Sequence, residues 1–143
     1  MLEYLQTNLM FIIYKQTNGQ AGVITPFGDV NDAVKDVPEG AEYKIVDSLE
    51  IEKKYFDAYD YDSETGVKIN IEKAKAVHLN RFRTARLPKL QKQDIEYMKA
   101  LEAGEIAKSS EIAAAKQALR DVTLTPLPDD FEGIKATWPE IIR

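Results

Sequence analysis

Two periods of apolar residues divide this sequence near Asn70. Before it, short apolar or alternating runs are separated by turn-forming residues, a pattern typical of strands in a half-buried sheet. Asn18 and Gly19 predict a type I′ hairpin turn, because both central residues of that turn need positive φ. A short helix is predicted over residues 29–36, with Asp29 or Asn31 as its N-cap. We expect strands at residues 10–15, 22–25, 43–46, 55–61 and 67–69, which together form a small antiparallel β unit over residues 1–69.

Beyond Asn70, apolar residues recur every three or four positions, as on one side of an α-helix. Asn70 is a suitable N-cap, and Gly104 suits the position just after a helix end. Pro88 either kinks the helix or begins a new one, because it lacks a backbone N–H and clashes with the preceding turn. The first stripe comprises Ile71, Ala74, His78, Phe82 and Ala85, and the second comprises Leu87, Leu90, Tyr97, Met98 and Leu101.

The length of this helical region predicts association. If residues 70–103 formed one helix, it would be about 50 Å long, too long to bury its apolar stripes against so small a β unit. It must therefore fold back as a helical hairpin, or pack against another copy or another protein. A further helical segment runs to about residue 122 and carries Ile112, Ala115, Leu119 and Val122 on one face.

The last segment, residues 123–143, contains Pro126, Pro128 and Pro139. It predicts an extended tail, with a short helix opening near residue 129 and with Phe131 and Trp138 as anchors. The chain is therefore expected to be α+β, with an N-terminal β unit at residues 1–69, a helical hairpin at 70–122 and a C-terminal tail at 123–143.

Composition excludes several classes of site. The chain has no cysteine and one histidine, which excludes disulfides, thiolate nucleophiles, Cys-ligated metals and multi-His metal sites within one chain. It contains no run of about eighteen apolar residues, so no membrane-spanning helix is expected. The apolar run at residues 9–14 is too short for a secretory signal and has no basic segment before it. Synthesis in the cytoplasm is therefore expected.

Charge is distributed unevenly along the chain. The net charge is −5, but residues 68–92 hold eight basic residues and one acid, so this segment is +7 and the remainder is −12. We interpret the segment as a helix whose basic side chains meet acids of the same fold or oligomer. Nucleic-acid binding through Arg81, Arg83 and Arg86 is the alternative. It is disfavoured because these arginines point in several directions and Phe82, the aromatic residue between them, lies on the packing stripe.

The densest group of carboxylates lies at residues 57–64. Asp60, Asp62 and Glu64 alternate as ligands do in a calcium loop. Gly66 and Glu72 each fall one position late for that motif, however, so a solvated hairpin turn is the favoured interpretation. No metal ligand is assigned.

Two further polar residues lie on the apolar stripes. His78 predicts a hydrogen-bonded core or interface histidine, with a pH-sensitive contact as the alternative. Asp94 either caps a helix that begins at Ile95 or pairs with an arginine of a facing helix, and capping is favoured. No phosphate-binding loop, nucleophile elbow, metalloprotease or kinase motif is present. We therefore assign no catalytic or cofactor-binding residue and expect a non-enzymatic protein.

Several short motifs resemble one known family. Pro-linked helices, Leu90, Asp94, residues 97–102 and residues 117–121 carry the likeness in the second half, and Trp138–Pro139 lies near the end. Residues 12–15, Asn18–Gly19, residues 36–38 and Tyr43–Val46 carry it in the first half. The stretch 81–121 resembles phage tail assembly chaperone domains, and the earlier motifs are similar to a small domain of related phage and prophage proteins. Met10 matches the start of that resemblance, so residues 1–9 are expected to be an extension.

The resemblance implies a function in phage assembly. Such a protein would bind a tail-fibre or other tail component in the host cytoplasm. The length of the helical region separately allows a homo-oligomer. Residues 94–118 depart from the better-known chaperones in predicting a regular helical hairpin, so a structural component that stays in the virion tail is the alternative. A nucleic-acid-binding accessory protein is a second alternative. The expected protein-interface residues are His78, Phe82, Leu90, Tyr97, Met98, Leu101 and Trp138.

Overall fold

A computed structural model describes residues 10–143. The chain divides into two units, with the boundary between Lys73 and Ala74. Strands fill the first unit and long helices the second, so the α+β prediction is confirmed. Residues 123–143 belong to the second unit together with the helices. The interpretations of residues 1–9, including the choice between Met1 and Met10 as the start, lie outside the described residues.

The first unit contains two antiparallel sheets. The first sheet has the order β2–β1–β3, and β4 pairs with β5 in the second. Ile12 and Ile13 are adjacent in β1 and both buried. Because successive strand residues point to opposite faces, both faces of β1 are shielded from water. The strands are β1 Phe11–Lys15, β2 Ala21–Ile24, β3 Tyr43–Val46, β4 Tyr59–Asp62 and β5 Gly66–Ile69.

The hairpin between β1 and β2 forms as predicted, but its turn is not type I′. Gly19 has φ +84°, whereas no non-glycine residue from 10 to 143 has positive φ, Asn18 included. The N–H of Gly19 donates to the carbonyl oxygen of Gln16 at 2.9 Å. The N–H of Gln16 donates to the carbonyl oxygen of Gln20 at 2.9 Å. This is a type I turn followed by one left-handed residue. Only the glycine therefore adopts the positive φ that the turn requires.

The predicted strand at residues 55–61 is wrong in its first half. Lys53–Ala58 forms two short 3₁₀ turns separated by a kink at Tyr55, where φ is −117°, and β4 begins only at Tyr59. Tyr55 and Ala58 are both buried. The alternation of tyrosines and aspartates in this segment favoured a strand and gave no sign of these turns.

The short helix of the first unit, α1, spans Val30–Ala33 and continues as a 3₁₀ turn, Val34–Asp36. Of the two candidate caps, Asp29 is the one used, because its carboxylate accepts from the N–H of Asn31 at 2.9 Å.

The second unit is built on α2 (Ile71–Glu102), whose first three residues belong to the first unit, together with α3 (Ile106–Arg120) and α4 (Phe131–Ala136). The side chain of Asn70 accepts from the N–H of Lys73 and caps α2 as predicted. Pro88 lies inside α2, so a new helix does not begin there. Short 3₁₀ turns at Asp121–Leu124 and Glu140–Ile142 complete the unit.

A glycine ends α2 and starts the helical hairpin. Gly104 has φ +70°, and its N–H donates to the carbonyl oxygen of Leu101 at 3.1 Å. The N–H of Glu105 donates to that of Ala100 at 2.9 Å. These two bonds define a Schellman motif, which satisfies carbonyls that the helix end leaves unpaired.

The core of the second unit combines helices and tail. Its buried members are Phe82 from α2, Leu119 from α3, Val122 and Ile142. Trp138 packs against them. The short helix predicted near residue 129 is present as α4, and Trp138 packs on the core as an anchor. The rest of the tail is less extended than predicted, because Glu140–Ile142 forms a 3₁₀ turn and contributes Ile142 to the core. Within residues 10–143, no helix has the length and apolar character needed to cross a membrane.

Candidate protein interface

The structure separates the seven predicted interface residues into core and surface. His78 and Phe82 are 0% exposed, so a partner cannot reach them in the folded chain. As interface residues they are wrong, because the first apolar stripe of α2 packs against its own unit. Leu90 and Trp138 are half-buried and pack against the same core. Only Met98 and Leu101 are largely exposed.

His78 is a core histidine with a defined partner. Its Nε2–H donates to the carbonyl oxygen of Thr137, which follows α4, at 2.6 Å. Its ring also meets the rings of Phe82 and Trp138 edge-on, with centroids 4.8 and 5.9 Å away. Burial lowers the pKa of His78, the hydrogen bond to Thr137 opposes that effect, and the nearby charge of Arg81 adds to it. The neutral imidazole is therefore favoured relative to the charged form, and its hydrogen bond joins α2 to the tail.

Tyr97 and Asp94 lie where α2 faces α3. Lys116 of α3 places its ammonium 5.0 Å from the ring centroid of Tyr97 and 2.6 Å from a carboxylate oxygen of Asp94. The favoured prediction that Asp94 caps a helix is wrong, because the residue lies within α2. The alternative, pairing with a cation of a facing helix, is correct in kind, although that cation is a lysine.

A second apolar surface lies on the opposite side of α2 from the core. Leu87, Ile95, Met98 and Leu101 are 54%, 58%, 55% and 50% exposed. At about 100° per residue their side chains fall within one sector of about 120°, and they extend over about 21 Å. We call these four residues the outer face of α2. Single exposed apolar residues are ordinary, but four in one sector of one helix form a surface that suits a protein partner.

Sequence reasoning identified half of the outer face. The sequence predicted Met98 and Leu101 as interface residues. It placed Leu87 only on a packing stripe and did not identify Ile95 as an interface residue. The sequence did contain a signal, because residues 95, 98 and 101 recur at a spacing of three. They form a second apolar stripe on α2, beside the stripe that contains Leu90. Two apolar stripes on one helix mean that only one can face the core, and the sequence alone does not say which.

The carboxylates of the β4–β5 hairpin have structural partners. Asp60 accepts hydrogen bonds from Lys73 and Asn70. Burial alone would raise its pKa, but these two donors outweigh burial and lower it. Asp62 accepts from the N–H groups of Glu64 and Thr65, which lower its pKa. Among the described residues, no three His, Cys, Asp or Glu side chains are grouped to hold a metal ion.

Several cations of the basic segment contact groups of their own fold. Arg86 donates to the carbonyl oxygens of Leu119 at 3.4 Å and of Arg120 at 2.6 Å, at the end of α3. The guanidinium of Arg81 lies 5.3 Å from the centroid of Trp138, and Lys75 pairs with Asp129. These contacts match the interpretation of a basic helix that meets groups of its own fold, and they leave few arginines for a phosphate backbone.

Comparison with protein-family models, with curated proteins and with solved structures found no match to this chain.

Proposed function

We propose that this protein is a non-enzymatic phage tail assembly protein, which holds a tail-fibre or other tail component through the outer face of α2. The observation that carries the proposal is the row of half-exposed apolar residues formed by Leu87, Ile95, Met98 and Leu101. The sequence motifs described above, several of which lie in α2 and α3, supply the class of partner. The host cytoplasm during assembly is the corresponding location.

An apolar helix face of this kind fits into a groove or against a helix of a partner. Covering the exposed half of each of the four side chains contributes about 1 kcal/mol per residue. That total of about 4 kcal/mol must offset the loss of freedom on association. The outer face by itself therefore favours reversible binding over a permanent contact, as release after assembly requires.

Charge substitutions on the outer face test the proposal. The double variant Met98→Glu, Leu101→Glu places two carboxylates in the middle of the surface and is expected to weaken binding to the tail component by more than tenfold. Leu124→Glu is the matched control, because Leu124 is an exposed leucine of the same unit outside α2. Equal binding by both variants would exclude the outer face as the contact surface.

A photo-crosslinking residue at position 98 or at position 124 identifies the partner in phage-producing cells. Cross-linking from position 98 to a tail-fibre or other tail protein, and none from position 124, is the expected result. Cross-linking to proteins of another class from position 98 would contradict the assigned partner.

The same cells distinguish an assembly factor from a structural component. Quantitative mass spectrometry of purified particles should find the protein absent from them while it is abundant in the producing cell. A fixed number of copies per particle would instead make it a structural component of the tail, which is the second candidate function.

A further inference from the structure

A small cavity lies in the second unit, on a different side of α2 from the outer face. Its volume is about 230 Å³, and it is lined by Lys89, Lys92 and Gln93 of α2, Ala115 and Leu119 of α3, and Ile141. Ligand pockets for drug-sized molecules start at about 300 Å³, so this cavity accepts a group the size of one amino acid and not a nucleotide. Its aliphatic side chains come from α3 and the tail, and its polar side chains come from α2.

Helix geometry explains why the two lysines share this cavity. Lys89, Lys92 and Gln93 are spaced i, i+3 and i+4, so they lie on one face of α2. Ala115 and Leu119 are spaced i and i+4, so they lie on one face of α3. The apolar stems of lysine side chains can line a wall while their ammonium groups stay near solvent at the rim.

The two lysines differ from the other cations of the basic segment that the fold engages. Lys73 pairs with Asp60, Lys75 pairs with Asp129, and Arg86 is held by carbonyls at the end of α3. Within residues 10–143, neither Lys89 nor Lys92 has a carboxylate within ion-pair distance. Two positive charges therefore lie beside an apolar cavity and have no anion of this part of the chain.

The surroundings do not oppose an anion at the cavity. The carbonyl end of α3 carries partial negative charge, but Arg86 donates to the carbonyl oxygens of both Leu119 and Arg120. Glu96 and Glu140 are close in sequence to the lining residues Gln93 and Ile141, and they pair with Lys99 and Arg143. Among the residues that line the cavity, the charged ones are Lys89 and Lys92.

We propose that this cavity binds a carboxylate carried on a small branched apolar group, with Lys89 and Lys92 at the carboxylate and Ala115, Leu119 and Ile141 around the apolar part. A chain that ends in leucine presents this chemistry, and so does a free short-chain carboxylic acid. Charge-assisted hydrogen bonds from two ammonium groups are about twice as strong as neutral ones. The proposal does not rest on the tail partner, because its site and the outer face share no residue.

The test uses the ¹⁵N-labelled full chain and three probes: acetyl-Gly-Gly-Leu with a free carboxylate, the same peptide with a C-terminal amide, and 3-methylbutanoate. We expect saturable shifts of the amide signals of Gln93, Ala115 and Leu119 with at least one of the two carboxylates and none with the peptide amide. Binding of the peptide acid alone identifies a protein C-terminus as the ligand, and binding of 3-methylbutanoate alone identifies a free acid. No saturable shift with either carboxylate, or equal shifts with peptide acid and peptide amide, would overturn the proposal.

Two variants locate the charges. Lys89→Gln combined with Lys92→Gln should weaken binding of the carboxylate probe by about tenfold or more, since it removes both charged donors. Lys99→Gln is the matched control on the same helix, because Lys99 pairs with Glu96 and does not line the cavity, and it should bind as the unchanged protein does. Unweakened binding by the double variant, with an otherwise unchanged spectrum, would show that the lysines do not hold the ligand.

Discussion

The imidazole Nε2–H of His78 donates a 2.6 Å hydrogen bond to the carbonyl oxygen of Thr137. This bond joins the first third of α2 to the residue that follows α4. The histidine is fully buried and in edge-on contact with Phe82 and Trp138. Burial of the ring and the nearby charge of Arg81 disfavour its protonation, so the fold favours the neutral form.

The pH dependence of stability follows from that burial. Because the pKa of His78 is lower in the folded chain than its usual value of about 6.5, the unfolded chain binds more protons below that pH. The free energy of unfolding should therefore be highest above about pH 6.5 and should decrease as the pH falls through the folded pKa. Urea unfolding followed by circular dichroism at pH 7 and pH 5 measures the difference.

His78→Gln is the control for this measurement. Glutamine retains an N–H donor for Thr137 but does not titrate, and His78 is the chain's one histidine. The variant should lose the decrease between pH 7 and pH 5, whereas an unchanged decrease would assign the effect to another group. Asp60, Asp62 and Asp129 do not interfere, because their lowered pKa values place their losses of stability at more acid pH.

Two residues of α2 separate core from surface. Phe82→Ala removes a fully buried ring from the core of the second unit and should lower the free energy of unfolding by about 3–5 kcal/mol. Leu87→Ala, little more than one turn further along, removes an exposed side chain and should change it by no more than about 0.5 kcal/mol. Equilibrium unfolding in urea compares the two, and a similar loss for both would contradict the assignment of the two faces.

The end of α2 depends on a left-handed residue. At Gly104 a Cβ would meet no atom within 4 Å, but φ is +70°, so a substitution there strains only the backbone. Gly104→Ala should lower the free energy of unfolding by about 1–2 kcal/mol. Gly104→Asn should lower it less, because asparagine tolerates the left-handed region. Thermal unfolding of the two variants measures this order, and a larger loss for Gly104→Asn than for Gly104→Ala would mean that side-chain size, not φ, limits the position.

Asp94 and Lys116 should contribute little, even though they are close. Asp94 is mostly exposed, and its partner is mostly buried, so solvent screens one half of the pair. A double-mutant cycle with Asp94→Asn and Lys116→Gln should give a coupling of about 0.2–1 kcal/mol, reduced by added salt. A coupling well above that range would show that the pair holds α2 and α3 together more firmly than its exposure suggests.

Most helices and strands of this fold could be predicted from the local sequence pattern. The contacts of the candidate interface residues could not. The strands near Ile13 and Ile45, the cap at Asn70 and the helix end at Gly104 each rest on residues close together in sequence. The partner of Asp94, by contrast, comes from α3, and no local signal identifies it. The direction of the two stripes of α2 depends on where the tail packs, so His78 and Phe82 were expected at an interface although they lie in the core.

The core contact between α2 and the tail also has a consequence for synthesis. His78 and Thr137 are 59 residues apart in sequence, and Ile142 lies further along still. During synthesis, the first apolar stripe of α2, which includes His78 and Phe82, therefore stays exposed until the whole of α3 and α4 has left the ribosome. Contacts between distant residues form late and slowly. During that interval, chaperones and neighbouring chains can bind this apolar stripe.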